Sequence, residues 1–276
     1  MSEAPPDYGR LAAVGPYFAL DAATGPAQAP PPGFRPLREF YAPGPDGPLA
    51  RRVREVARRL GTAEPRVAAS ILHLGLAARF CSVGLGAAVL LGEVPDLGPE
   101  RAWVRVPEQG PIDLWLPYSP PPEPAAPADR APLADRVRRT VVEGQLADLA
   151  AAVRSVVPLS EGLLRGNAAS ALAGALRMLD AHAPHVPPAR ALVAELLDRP
   201  PLAGTGTLTG TPTGAAFRRT SCCLYYRVGP QAGVCGDCCF TRPPGVRRTG
   251  PADVRRPGPG QRSSVAASRF GSAIVK

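Results

Sequence analysis

The chain has 276 residues, 45% hydrophobic and only 5% aromatic, with 36 prolines and a net charge of +9. That length admits one large domain or two small ones, either with an adequate core. Seven arginines and Lys276 against Asp253 place +7 of the charge in residues 241–276, so the body lacks the basic face of a nucleic-acid binder.

Met1-Ser2-Glu3-Ala4-Pro5-Pro6 has no basic stretch followed by an apolar run. No secretory signal is expected, and the setting is a reducing cytosol. Residues 1–45 read as an extended Pro-rich arm. Residues 46–118 read as a subdomain of helices and one β-hairpin. Leu49, Val53, Val56, Ala57 and Leu60 follow a helical period that stops at Gly61. Thr62 is expected to cap the next helix, with Glu64 and Pro65 in its first turn. Residues 67–92 form the one long apolar run, close to a membrane span in length. His73 and Arg79 lie in its middle, and a central Arg costs roughly 2.5–3.5 kcal/mol on insertion scales. A buried helix, or two short ones broken near Gly84-Leu85-Gly86, is expected instead.

Residues 101–106 and 111–116 alternate as a hairpin bearing Trp103 and Trp115. Residues 119–132 form a Pro-rich loop. Residues 133–203 form a helical subdomain with helices near 133–157, 160–182 and 188–198. The Gly/Thr run 204–211 reads as a flexible approach to a cysteine-rich segment, 204–240. Residues 241–276 read as a basic, disordered tail, the alternative being a weak contact with anionic headgroups on the inner membrane face. Together these elements predict a mainly helical α+β fold with a small β-hairpin region and a C-terminal cysteine-rich loop. There is no internal repeat, no G-x-G-x-x-G and no Walker motif. Of the three histidines, His73 reads as a satisfied core residue, and His182 and His185 as helix-end or surface groups.

Five of the six cysteines lie within eighteen residues: Cys222, Cys223, Cys235, Cys238 and Cys239. An adjacent pair, an eleven-residue spacer and a C-x-x-C supply soft thiolates to a metal or an iron–sulfur cluster. A C-x-x-C offers two ligands across one turn. Vicinal cysteines point apart in extended chain, so they share a site only across a tight turn or by reaching different irons. Structural zinc suits four cysteines too, although its pairs usually read C-x₂₋₄-C on both sides. A thioredoxin-type dithiol would sit at a strand-to-helix junction, whereas this context is rich in Gly and Pro. Cys81, alone in the apolar run, reads as a small core residue.

The run Arg219-Thr220-Ser221-Cys222-Cys223-Leu224-Tyr225-Tyr226-Arg227 with Cys235-Gly236-Asp237-Cys238 resembles the C-terminal signature of the FhuF-like ferric siderophore reductases, which hold a [2Fe–2S] cluster on C-C-x10-C-x-x-C. Ala77-Ala78-Arg79-Phe80, Leu85-Gly86-Ala87-Ala88-Val89-Leu90 and Gly166-Asn167-Ala168-Ala169-Ser170-Ala171-Leu172 resemble the same family. The likeness extends over roughly residues 65–240, and only the cysteine segment is specific. Here the spacer is one residue longer, which the Gly/Pro turn can absorb, and Arg165 stands where the family pattern has an aromatic residue.

The resemblance implies a [2Fe–2S] cluster on Cys222, Cys223, Cys235 and Cys238, with the C-x-x-C phase favouring Cys238 over Cys239. It implies one-electron reduction of Fe(III) in an imported siderophore by a cytoplasmic oxidoreductase. With no flavin or nicotinamide fingerprint in the chain, the electron donor is expected to be external: a ferredoxin, a flavin reductase or a reduced cofactor. Arg218, Arg219, Arg227 and Arg242 surround the cysteines and are candidates to attract an anionic chelate, or else to serve as surface charges or donors to sulfur. Two other classes remain open at this stage: a non-enzymatic [2Fe–2S] electron relay and a zinc-stabilised binding module.

Overall fold

A computed structural model describes residues 6–119, 132–182, 187–211, 214–229, 232–242 and 244. It begins with short elements set into the core: α1 (Gly9–Ala12), β1 (Asp21–Ala22), β2 (Arg35–Pro36) and α2 (Leu37–Phe40). Leu11, Phe18, Leu37 and Phe40 are buried. Residues 11–23 and 37–41 of the expected extended arm are therefore packed into the core, while 24–36 stay mostly exposed. The apolar residues there have no helical or strand period to announce them, because prolines and glycines interrupt every element.

Next comes α3 (Pro48–Leu60), closed by Gly61 in the left-handed region at φ 64°. Residues 65–91 make one unbroken helix, α4 (Pro65–Leu91). Its glycines are packing notches and not breaks. A Cβ at Gly86 would lie 2.7 Å from Phe18 Cδ1, and one at Gly84 2.5 Å from Val141 Cγ2. Thr62 does not cap α4. Its Oγ1 accepts the N–H of Glu64 at 3.2 Å and shapes the turn before the helix. Among the described residues α4 is the one helix long and apolar enough to cross a membrane, but 72% of its most apolar window is buried within the fold. An apolar helix covered all round is a core helix.

The hairpin forms as β3 (Trp103–Arg105) and β4 (Asp113–Leu116), with Trp103 opposite Trp115, ring centroids 6.2 Å apart and edge to face. It is the middle of a four-stranded sheet in the order β1-β4-β3-β2, with β1 parallel to β4 and the other pairs antiparallel. The helix expected over 133–157 is three pieces: α5 (Leu133–Val137), eight residues of π winding at Arg138–Gln145, and α6 (Leu146–Val156). Gly144 and the β-branched run Thr140-Val141-Val142 weaken α winding there. Two further helices follow, α7 (Glu161–His182) and α8 (Pro187–Asp198).

The Gly/Thr run is a strand and not a free approach: β5 (Gly206–Thr211) pairs antiparallel with β6 (Gly214–Arg219). Alternating threonines favour a pleated, half-exposed strand. Helices α4 and α7 lie side by side at the centre, with β6 against α7. One apolar core runs from Leu11 to Phe217. Apart from their edges, the Pro-rich loop and the basic tail lie outside the described residues, as does His185.

Arg79, the charge that argued against a membrane span, is buried on α4 and holds two separate segments through three carbonyls. Its Nε donates to Ile112 O at 2.8 Å, its Nη1 to Tyr17 O at 2.7 Å, and its Nη2 to Ala19 O. Burial lowers its pKa to about 10, so it stays charged at neutral pH. Removing it orphans three carbonyls in the interior. Arg79→Met is expected to lower the unfolding free energy by about 3–5 kcal/mol in urea titrations. Arg38→Ala, which breaks the exposed pair with Glu100, is expected to change it by less than about 1 kcal/mol.

Candidate metal centre

The cysteine segment follows β6 as two turns. After Cys222-Cys223 the chain reverses at Leu224, whose φ of 68° and ψ of 5° are left-handed. Among the described residues Leu224 is the one non-glycine position with positive φ. Such a residue costs roughly 1–2 kcal/mol and persists where the surroundings enforce it. This reversal follows the vicinal pair directly and turns the chain back toward the C-x-x-C. A 3₁₀ turn, Tyr225–Arg227, leads on to Cys235-Gly236-Asp237-Cys238, closed by the Cys238 N–H on Cys235 O at 3.1 Å.

These turns bring the four expected cysteines together. Cys223, Cys235 and Cys238 form a buried cluster against which Cys239 packs. The Cys222 thiol neighbours that of Cys223, and the Cys223 thiol neighbours that of Cys235. Sharing its proton with Cys223, and then burial, push the Cys222 thiol far up. For Cys223, the bond with Cys222 pulls down while Cys235 and burial push up, leaving it at about 11. Crowded thiols of this kind hold their protons until a metal displaces them. Two backbone N–H groups already point at sulfur: Leu224 to Cys222 Sγ at 3.2 Å and Phe240 to Cys238 Sγ at 3.4 Å.

The segment is fastened to the two central helices by buried polar groups. Ser70 of α4 donates its hydroxyl to Cys223 O at 2.7 Å, and Asn167 Nδ2 of α7 donates to Ser70 O at 3.0 Å. Ser221 Oγ donates to Gly162 O at 3.0 Å. Gly166 makes the approach feasible: a Cβ there would overlap Ser221 Oγ and lie 2.8 Å from Arg219 Nη2. The C-x-x-C turn is anchored through Asp237, whose carboxylate accepts from the Ser170 hydroxyl and from Arg177 Nη1 at 3.1 Å. The Asp237 carbonyl accepts the Arg219 N–H at 3.0 Å.

The four arginines near the cysteines have different positions. Arg218 and Arg242 are exposed, and Arg218 Nη2 donates to Cys239 O at 3.2 Å. Arg227 is exposed but forms an ion pair with Glu64 at 2.9 Å. Arg219 is not at the surface. It is 2% exposed, and it donates Nε to Ser221 O at 2.5 Å and Nη2 to Leu163 O at 3.3 Å. Its Nη1 has no partner, and its burial sets it apart from the exposed arginines expected to attract a chelate. Cys81 is a core thiol pushed up to about 12 by burial. His73 is buried as expected but is not satisfied, since neither ring nitrogen has a hydrogen-bond partner. Burial first, then the charge of Arg219, lower it to about 3, which keeps it neutral.

Sequence reading missed Asp237, Ser70 and Arg177 as scaffold. Gly166, Ser170 and Arg177, spaced by four and seven residues, fall on one face of α7, whose central turns are otherwise largely apolar. Ser70 and His73 do the same on α4. Polar residues at helical spacing inside apolar helices were the available signal.

Whether this site suits an iron–sulfur cluster is decided by its donors. It offers thiols with preplaced N–H donors to sulfur and an unpaired buried guanidinium, a setting made for an anionic sulfur-ligated group. Among the described residues no three Cys, His, Asp or Glu side chains converge as a single-ion site. Residues 219–240 match the family model described as the FhuF 2Fe-2S C-terminal domain. A search among curated proteins found no matching relative. The chain thus carries an FhuF-like [2Fe–2S] domain at its cysteine segment, and the residues present fit the cluster.

Serine at Cys222, Cys223, Cys235 or Cys238 is expected to abolish acid-labile sulfide and visible absorbance in anaerobically purified protein, whereas Cys239→Ser retains both. Gly166→Val is expected to cut iron loading at least fivefold while far-UV circular dichroism stays helical. Normal loading in that variant would mean that close contact with α7 is dispensable.

Proposed function

We infer that this protein is a ferric-chelate reductase: it passes one electron to Fe(III) held in an imported siderophore and releases Fe(II) in the cytosol. The reading rests on the match of residues 219–240 together with the convergence of Cys222, Cys223, Cys235 and Cys238. When bound, the [2Fe–2S] group supplies single electrons. Siderophore oxygens are hard, anionic donors that hold Fe(III) through charge. Lowering that charge by one weakens every iron–oxygen bond together, so the ion can leave.

The protein's own residues have three tasks here. The cysteine scaffold keeps the redox group near the surface, since Cys222 and Cys239 are half-exposed while Cys223, Cys235 and Cys238 are buried. The N–H groups of Leu224 and Phe240 on sulfur tune its potential. Arg218 and Arg242, exposed beside it, draw in a negative chelate. The electron comes from an external donor, and no protein bond is made or broken.

The test mixes anaerobically reduced protein with a ferric hydroxamate in a stopped-flow spectrometer. Reoxidation is expected to rise with chelate concentration and saturate. Charge reversal at Arg218 or Arg242 is expected to raise the half-saturating concentration of an anionic chelate about fivefold, roughly 1 kcal/mol. Reoxidation indifferent to the chelate would favour a simple electron relay. A colourless, zinc-loaded protein would favour a structural module.

A further inference from the structure

Arg219 is a buried cation without a counter-ion. It is among the largest fully buried side chains, and among the described residues no carboxylate lies within ion-pair distance of it. Asp237, the nearest acidic residue in the segment, gives its carboxylate to Ser170 and Arg177. The two bonds that Arg219 makes from Nε and Nη2 end on neutral carbonyls, and Nη1 makes none. Around it stand Gly166 and the ring of His73, held neutral in part by its charge. The Nε bond of Arg219 to Ser221 O and its backbone bond to Asp237 O set it next to the residues that precede Cys222 and Cys238. An unpaired buried charge is expensive and is retained where an anion completes it.

We propose that Arg219 is the internal counter-charge of the [2Fe–2S] cluster, positioned behind Cys222 and Cys223 to offset its negative charge and to favour its reduced form. Four thiolates and two bridging sulfides outweigh two ferric ions, so the cluster is anionic when oxidised and gains one more negative charge on reduction. A fixed cation beside it therefore stabilises the reduced state more than the oxidised one. The same pairing ties cluster occupancy to folding: with the anion in place the guanidinium is matched, and without it the interior carries a lone positive charge.

The measurement is the midpoint potential of the cluster in full-length holoprotein, from an EPR-monitored titration with dithionite and mediators, for wild type, Arg219→Gln and Arg219→Lys. In Arg219→Gln the equilibrium constant for reduction by a donor of fixed potential is expected to fall at least tenfold, a 59 mV drop for a one-electron couple. Arg219→Lys, which keeps the charge, is expected to lie much closer to wild type. The rise in melting temperature on cluster loading is expected to be smaller in Arg219→Gln than in wild type. A Gln variant at the wild-type potential overturns the proposal, as does a Lys variant shifted as far as Gln. Failure of both variants to take up iron assigns Arg219 a geometric role and overturns it too. No arm uses a chelate, so a negative result leaves the reductase reading untouched.

Discussion

Ser70 gives its hydroxyl to the carbonyl of Cys223, and Asn167 holds Ser70 in turn. This short chain of hydrogen bonds, crossing from α7 through α4 to the cysteine turn, is the fastening on which the centre depends. The cysteine segment is a run of turns with little apolar surface and could not order itself. Its order comes from polar groups buried between two helices, where a missing partner is costly and a satisfied one rigidifies. The helices must be fixed first, and Arg79 does that on the far part of α4, joining the N-terminal layer and the loop after β3 to the same helix. Two buried polar systems on α4 thus divide the labour, one closing the body and the other seating the metal centre.

The arginines around that centre illustrate how position overrides residue type. Arg218 and Arg242 face water, Arg227 is matched by Glu64, Arg177 is matched by Asp237, and Arg219 is enclosed. The first two are open to a solute, Arg218 while also holding Cys239 O. The matched pairs fasten loops to helices, Arg227 bringing the turn after Cys223 back to the start of α4 and Arg177 bringing the C-x-x-C turn to α7. Only the enclosed one acts on the site from within, in a medium where a charge reaches further than it does in water.

The cysteine spacing, the helices expected near 49–60, 160–182 and 188–198, and the Trp103/Trp115 hairpin were legible, because each rests on local periodicity or on turn residues. The apolar run 67–92 was legible as buried helix, but not that it runs unbroken through Gly84 and Gly86. The packing of residues 11–23 and 37–41 was not legible, since Leu11, Phe18 and Leu37 follow no period and are covered by elements distant in sequence, Leu11 and Phe18 by α4 at Gly86. The strand at 206–211 looked like low complexity because its partner, β6, shows its alternation only once paired. Arg219 and Arg218 are neighbours of the same type, and nothing local separates them. Strand alternation turns one inward and the other outward, and only the register of β5 against β6 decides which.

Burial across the cysteines is lopsided: Cys223 and Cys235 are sealed by α4, α7 and the turns, whereas Cys222 and Cys239 are half-open to solvent. Among the described residues, the Cys222 and Cys239 side is the more open edge of the cysteine group. On the proposed reductase reading, electron donor and chelate would share that edge and come in turn. The protein would then work in alternation, charged by one visitor and discharged by the next, with the small stored unit waiting in between.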